Sequence, residues 1–178
     1  MKLFVVRHGE TDWNVKKVLQ GRADIPLNEK GKEQAKHTRE LLKNTHIDAV
    51  FSSPLKRARE TAEIITEGRR LEIHNDDRLL ERDFGEYEGV DKTTFAYADL
   101  WAYEKNIQYK KAENIRDFFK RIYGFLDEIK AKYPDGSVMI VTHGGVTKIV
   151  RCYAEGMVPD DEIAAFLVGN AGYSEYEI

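Results

Sequence analysis

The sequence is poor in cysteine, because Cys152 is the only one among its 178 residues. A disulfide framework within the chain and a thiolate zinc site are therefore excluded, since each requires several cysteines. Apolar residues in a helical pattern surround Cys152, so we expect a buried structural thiol. A lone thiol of this kind favours a reducing compartment, and we expect the protein in the cytoplasm.

The sequence also lacks long hydrophobic runs and a strong charge of one sign. No segment reaches the roughly 18 consecutive apolar residues of a membrane span, and residues 1–6 lead into a charged motif without a cleavage site. We therefore expect neither a membrane partner nor export. The 28 basic and 31 acidic side chains give a net charge of −3 and are well mixed along the chain. Without a basic block, we expect no nucleic-acid partner.

The length of 178 residues predicts a single domain over residues 1–178, with enough chain to bury one core. Short apolar runs that are typical of strands buried on both faces lie at residues 3–6, 49–51 and 138–141. A weaker strand signal lies at residues 71–73, and the alternation over residues 173–178 is typical of an edge strand.

Helical patterns alternate with these strands. Asn28 is suited to cap a helix that runs to about Lys43, and Pro54 is placed to open another that runs to about Thr66. Apolar residues spaced by three and four over residues 115–129 predict an amphipathic helix, which ends at the turn sequence of residues 133–136. The fold class we predict is α/β, a three-layer α/β/α sandwich with a mostly parallel central sheet and helices on both faces.

Residues 90–112 are less regular, and we interpret them as a lid or a substrate-specificity insertion. Five aromatic side chains are scattered among charges there, and we expect them to be exposed. Exposed aromatics serve a homodimer contact as well as a lid, so both interpretations stay open. The residues are Phe95, Tyr97, Trp101, Tyr103 and Tyr109.

Arginine and histidine side chains follow three of the predicted strands. Arg7 and His8 follow the first, Arg57 follows the second within a few residues, and His143 follows the third. The carboxyl ends of parallel strands lie along one edge of a sheet, so we expect these side chains to meet. Guanidinium groups bind phosphoryl oxygens in pairs of hydrogen bonds, and a neutral imidazole nitrogen can attack phosphorus. A single strand-end histidine is usually structural, but the recurrence predicts a phosphoryl site.

The run of residues 3–11, LFVVRHGET, resembles the signature of the histidine phosphatase superfamily, also called the phosphoglycerate mutase-like family. The resemblance extends in order over nearly the whole chain. The further matching segments are residues 13–14, 20–27, 52–58, 80–85, 88–89 and 142–145.

The resemblance implies that His8 is the nucleophile that becomes phosphohistidine. It implies that Glu81 is the general acid, for which the alternative is an ordinary surface carboxylate. The residues implied as a clamp on the phosphoryl oxygens are Arg7, Arg57 and His143. The positions implied to contact phosphate or substrate are Asn14, Gln20, Gly21 and Gly144.

Three further histidines, His37, His46 and His74, match no catalytic position, and we expect them in surface or packing roles. No histidine or carboxylate spacing typical of a metal site is present, and strand-end arginines would repel a cation. We therefore expect no metal and no organic cofactor.

The function we expect is a phosphomonoesterase acting on a small phosphorylated metabolite. A cofactor-dependent phosphoglycerate mutase is the alternative, but a mutase must exclude water from its phosphohistidine. The resemblance implies that mutases of the family have longer chains, with an extra insertion after the Glu-Arg motif and a tail that closes over the site. Here the insertion between Gly89 and Glu113 is short and the chain ends on the predicted last strand, so we favour hydrolysis.

A non-catalytic phosphate-binding module is a third hypothesis. It predicts a missing nucleophile or clamp residue, and none is missing. Residues 112–114, Ala-Glu-Asn, depart from the Gly-Glu-Ser of many related phosphatases. The substrate therefore stays open among sugar phosphates, nucleotide-like esters and several small esters.

Overall fold

The computed structural model describes residues 1–178, and its five strands form one sheet. The strands are β1 Lys2–Arg7, β2 Ala49–Ser52, β3 Ile73–Asn75, β4 Ser137–Thr142 and β5 Tyr173–Glu177. Their order across the sheet is β3-β2-β4-β1-β5. The first four are parallel, and β5 pairs antiparallel with β1 at the edge. The predicted strands are confirmed, although the weak signal at residues 71–73 yields a strand that begins only at Ile73.

Six α-helices and three short 3-10 helices connect the strands. The α-helices are α1 Asp12–Val15, α2 Glu29–Leu42, α3 Lys56–Thr66, α4 Ile115–Lys132, α5 Gly144–Glu155 and α6 Asp160–Ala165. The 3-10 helices are Asp77–Leu79, Gly85–Tyr87 and Tyr97–Trp101. Asn28 caps α2 as predicted, because its side chain accepts a hydrogen bond from the Gly31 N–H at 2.8 Å. The α3 helix begins at Lys56, slightly later than Pro54 predicted, since Pro54 lies in the preceding turn.

Helices cover both faces of the sheet. Along β1, Leu3 and Val5 pack into the apolar cluster formed with α4 and α5, whereas Phe4 and Val6 pack into the cluster formed with α2 and α3. This alternation follows from the two-residue period of a strand. The predicted three-layer α/β/α architecture is therefore confirmed. None of the helices combines the length and the apolarity that a bilayer crossing needs.

The irregular segment of residues 90–112 lies against the core instead of projecting from it. Trp101 is only 1% exposed. The other four aromatic side chains of the segment are half-buried against the same apolar cluster. The expectation that these aromatics are exposed is wrong, because the 3-10 turn at Tyr97–Trp101 rotates Leu100 and Trp101 into the core.

The lone cysteine and the three histidines that match no catalytic position lie where the sequence predicts. Cys152 is buried as a free thiol. His37, His46 and His74 are exposed.

Candidate active site

Three strand ends converge as the sequence predicts. Arg7 is in register with Thr142 across β1 and β4, and the next residues of each strand are the two histidines. The His8 N–H donates to the Thr142 carbonyl at 2.8 Å, which fixes the distance between these ends. The imidazole rings of His8 and His143 consequently lie 5.3 Å apart, measured between ring centroids.

The His8 ring is arranged as a neutral base with one free nitrogen. Its Nδ1 lies 2.7 Å from the Gly9 carbonyl oxygen. Because a carbonyl only accepts, Nδ1 carries the proton and Nε2 keeps its lone pair. Burial lowers the pKa of His8 well below 6.5, and the charges of Arg57 and Arg7 lower it further. The ring is therefore neutral at neutral pH, with a proton on Nδ1 and a nucleophilic Nε2.

Arg57 is fully buried at the start of α3 and is held through all three guanidinium nitrogens. Nη1 donates to the Ala23 carbonyl at 2.6 Å and Nη2 to the Gly21 carbonyl at 2.7 Å. Burial lowers the pKa of Arg57 to about 10, and Glu81 opposes that shift, so the group stays charged at neutral pH. A buried arginine with fixed geometry is a preorganised site for an anion.

His143 supports Arg57 and does not line the cavity in front of it. Its Nδ1 accepts from Arg57 Nε at 3.2 Å, and its Nε2 lies 2.7 Å from Ser53 Oγ. The sequence resemblance implies that His143 itself clamps a phosphoryl oxygen. In the structure, both of its ring nitrogens have protein partners instead. Burial lowers the pKa of His143 well below 6.5, with Arg57 adding to the shift.

Arg7 is held less completely than Arg57. Nη1 donates to the Val168 carbonyl at 2.8 Å, while Nε is buried without a hydrogen-bond partner. A buried guanidinium N–H without a partner is costly unless a ligand satisfies it. Arg7 is therefore suited to accept an anion in the cavity.

Glu81 is buried, at 8% exposure, which removes the interpretation as a surface carboxylate. Its Oε2 accepts from the Gly145 N–H at 2.9 Å, and its Oε1 accepts from the Arg82 N–H at 2.9 Å. A Cβ on residue 145 would lie 2.1 Å from Glu81 Oε1, so only glycine permits this approach. The carboxylate is thus fixed in the lining of the cavity that also contains Arg7 and Arg57.

These side chains surround a cavity of about 140 Å³. Eight of the nine predicted site residues line it, and His143 is the exception, buried behind Arg57. The lining positions are Arg7, His8, Asn14, Gln20, Gly21, Arg57, Glu81 and Gly144. The predicted site is therefore assembled as one place.

Two further segments line the cavity. The first, which we name the aromatic wall, is residues 92–101 and contributes Lys92, Tyr97 and Trp101. The second, which we name the α6 wall, is residues 163–168 and contributes Ala164, Ala165 and Leu167. The lid interpretation of residues 90–112 predicts the aromatic wall, whereas no periodicity or motif marks the α6 wall.

Residues outside these walls were missed as well. Ser53 belongs to the matched segment 52–58, but only the structure pairs its hydroxyl with His143. Lys148 also lines the cavity, and its one sequence signal is a lysine among the apolar residues around Cys152. No group of three or more His, Cys, Asp or Glu side chains is arranged to hold a metal ion. The site's charge instead comes from arginines and lysines, which favours an anionic ligand.

Comparison with known proteins agrees with this geometry. A model of the histidine phosphatase superfamily (branch 1) matches residues 3–178. A phosphatase of Bacillus subtilis, PhoE, is 39% identical over 175 residues, covering 97% of this chain and 86% of its own. Phosphoserine phosphatase 1 of Hydrogenobacter thermophilus is 33% identical over 180 residues, covering 98% and 85% respectively.

The solved structures give the same result. YhfR of Bacillus stearothermophilus superimposes with a TM-score of 0.89 at 30% identity, over 99% of this chain and 91% of that one. Relatives named as phosphoglycerate mutases or mutase-like proteins also match, at 28%, 31% and 35% identity.

Proposed function

We propose that this chain works through a phosphohistidine on His8. It belongs to the histidine phosphatase superfamily (branch 1) and is a phosphoric monoester hydrolase of small phosphorylated substrates. The observation that carries the proposal is the state of the His8 ring. Its Nδ1–H is committed to the Gly9 carbonyl, so Nε2 presents a lone pair inside a cavity lined by two arginines.

We propose that the reaction proceeds in two steps. In the first, Nε2 of His8 forms a bond to phosphorus as the bond to the leaving oxygen breaks, and Glu81 gives that oxygen its proton. In the second, Glu81 takes a proton from water, whose oxygen attacks phosphorus and releases His8 and inorganic phosphate. The proton that Glu81 gives in the first step is thus regained in the second.

Arg7 and Arg57 are proposed to stabilise the charge on the equatorial phosphoryl oxygens in both steps. Phosphoryl transfer depends mainly on positioning and electrostatic stabilisation, so fixed guanidinium groups are well suited to it. We assign His143 to orienting Arg57 through the Nδ1 contact, with Ser53 holding the other ring nitrogen. The lining positions Asn14, Gln20, Gly21 and Gly144 complete the phosphate-binding surface in this proposal.

The aromatic wall is proposed to contact the leaving group, and this role supports treating residues 90–112 as the specificity insertion of one domain over residues 1–178. Lys92, Tyr97 and Trp101 line the cavity from this segment, whereas Lys105, Lys110 and Glu104 do not. A cavity of about 140 Å³ favours compact esters over nucleotides. The half-buried aromatics favour a wall over a homodimer contact, and gel filtration of the 20.5 kDa chain distinguishes monomer from dimer.

The mutase alternative makes a different demand on water. Leu167, on the rim of the cavity, is 56% exposed, so solvent reaches the mouth of the site. A phosphohistidine that meets water is hydrolysed, which supports the phosphatase over the mutase. We propose that the enzyme acts in the cytoplasm, because its single thiol is free and buried and a free thiol favours a reducing compartment. Cell fractionation tests this location.

The experiment is a phosphate-release screen over sugar phosphates, nucleotides, phosphoserine and phosphoglycerates. With 3-phosphoglycerate, the assay is run with and without a bisphosphorylated primer. We expect inorganic phosphate to be released in both cases, because no primer is needed to form the phosphoenzyme. Efficient isomerisation that depends on the primer would contradict the proposal.

A further inference from the structure

A buried lysine borders the active-site cavity. Lys148 lies on α5 among fully buried apolar residues and is itself only 2% exposed. Burying an ammonium group is costly unless acceptors replace its water. Burial lowers the pKa of Lys148 to about 8, and Glu81 opposes that shift, so the charged form predominates at neutral pH. The side chain therefore needs partners that satisfy a cation.

Those partners are the carbonyl groups at the end of α6. Nζ of Lys148 donates to the carbonyls of Ile163 at 2.9 Å and Ala164 at 2.7 Å, and also to that of Phe166. The last carbonyls of a helix have no partner within the helix and carry partial negative charge. One ammonium group thus gathers three carbonyls of the α6 wall, and it also lies 5.1 Å from the centre of the Trp101 ring.

The α6 wall continues from these carbonyls directly to the catalytic arginine. Val168 follows Phe166 by two positions, and its carbonyl accepts from Arg7 Nη1 at 2.8 Å. This is the only hydrogen bond that the Arg7 guanidinium makes to the protein. Arg57, by contrast, has three such bonds. The direction in which Arg7 points therefore depends on the position of one carbonyl in the α6 wall.

We propose that Lys148 is a positioning residue for Arg7, acting through the α6 wall. The inference rests on the proposed function, because it assigns Arg7 to the phosphoryl group. Without the ammonium, three carbonyls lose their common donor and Val168 is no longer held in register with Arg7. Arg7 then approaches the phosphoryl oxygens from a wider range of directions.

A double-mutant cycle tests this dependence. The variants are Lys148→Met, Arg7→Ala and the double variant, and kcat/KM is measured with p-nitrophenyl phosphate. We expect Lys148→Met to lower kcat/KM about tenfold, as for a misplaced catalytic group. In the Arg7→Ala background the same change should alter kcat/KM less than about twofold, because coupled residues are not additive. A tenfold loss in both backgrounds would overturn the proposal.

Two further variants separate positioning from general damage to the fold. Lys148→Arg keeps a cation with several donors, and we expect it to restore kcat/KM to within about threefold of the wild type. Lys130→Met removes an exposed lysine from α4 and should change nothing. If Lys148→Met does not fold, Lys148→Gln replaces it in the cycle. Failure of Lys148→Arg to exceed Lys148→Met would contradict the proposal.

Calorimetric binding of inorganic phosphate gives a readout that does not need turnover. We expect Lys148→Met to weaken phosphate binding about tenfold when Arg7 is present and not when it is absent, by the same coupling. If the variants bind phosphate in this pattern but the wild-type protein hydrolyses no ester, the proposed function is wrong and the role of Lys148 in positioning Arg7 stands. Unchanged phosphate binding in Lys148→Met would defeat the role of Lys148 alone.

Discussion

The two ends of the cavity are built from different kinds of chain. At the phosphoryl end, Arg7 and His8 lie at the end of β1 and Arg57 lies at the start of α3, so backbone hydrogen bonds of regular elements set their positions. Glu81 follows a 3-10 turn, and the Gly145 and Arg82 N–H groups hold its carboxylate. The rest of the lining is the aromatic wall and the α6 wall, in which the regular pieces are one 3-10 helix and one six-residue helix. The α6 wall adjoins the phosphoryl end, because its Val168 carbonyl holds Arg7. The difference indicates a rigid end for the common phosphoryl group and an adaptable end for the leaving group.

Among the residues that support His8, Arg57 should have the largest effect when removed, because it belongs to the rigid end. We expect Arg57→Met to lower kcat/KM by roughly 10²–10³, the range for losing one charge-stabilising donor. The matched control is Arg59→Met, two positions along α3, where the arginine faces Glu63 on the surface. A loss of similar size in both variants would show that α3, and not the buried guanidinium, limits activity.

The next effect concerns Glu81. We expect Glu81→Gln to lower kcat by about 10²-fold with an alkyl phosphate, the lower end of the range for general acid catalysis. With p-nitrophenyl phosphate the loss should be smaller, because p-nitrophenolate leaves without a proton. Glu86→Gln, an exposed change in the neighbouring turn, is the control. Equal losses with the two substrates would remove Glu81 from the role of acid.

A change in the adaptable end should act on KM. Leu167 and Leu41 are both 56% exposed, but only Leu167 lines the catalytic cavity. We expect Leu167→Ala to raise KM up to about tenfold with little change in kcat, since a contact with the leaving group is made equally in ground and transition states. Leu41→Ala should leave both constants unchanged. A fall in kcat with unchanged KM would place Leu167 at the phosphoryl end.

The smallest expected effect is a pH dependence of stability from the buried histidines. Burial, with the arginine charges, holds the pKa of His8 and His143 well below 6.5 in the folded protein. Below pH 6.5 the unfolded chain therefore binds more protons than the folded one, and the free energy of unfolding falls as pH falls. Each histidine contributes up to about 1.4 kcal/mol per pH unit.

Urea denaturation of the wild type and of His8→Asn at pH 7 and pH 5 checks this. The variant should lose less stability on acidification, because one buried imidazole is gone. Equal losses would mean that His8 accepts its proton as readily in the folded protein as in the unfolded chain.

The same contrast explains how much was predictable from the sequence. Arg7, His8 and His143 could be placed together because each follows a short apolar run, and parallel strands deliver their carboxyl ends to one edge. Glu81 could be identified only through the family resemblance, since its burial depends on the absence of a Cβ at Gly145. The α6 wall could not be predicted, because its position depends on contacts with Lys148 and Arg7, which are remote in the chain.

Two residues show what sequence patterns alone do not reveal. His143 is predicted as a site residue, and the structure adds its partners, Arg57 and Ser53, which depend on side-chain rotamers that no sequence spacing reveals. Trp101 stands among charges and so suggests exposure, but the 3-10 turn buries it. Local pattern predicts elements well, whereas tertiary packing decides where irregular segments point.

The central claim is that phosphorus is transferred to His8, and trapping of the intermediate tests it most directly. The wild-type enzyme is mixed with a phosphate ester, quenched in alkali during turnover, and digested with trypsin. The account predicts a phosphoryl group, labile in acid, on the peptide of residues 8–16, and neither this group nor turnover in His8→Ala. A phosphoryl group on the peptide that contains His143, or continued turnover by His8→Ala, would contradict it.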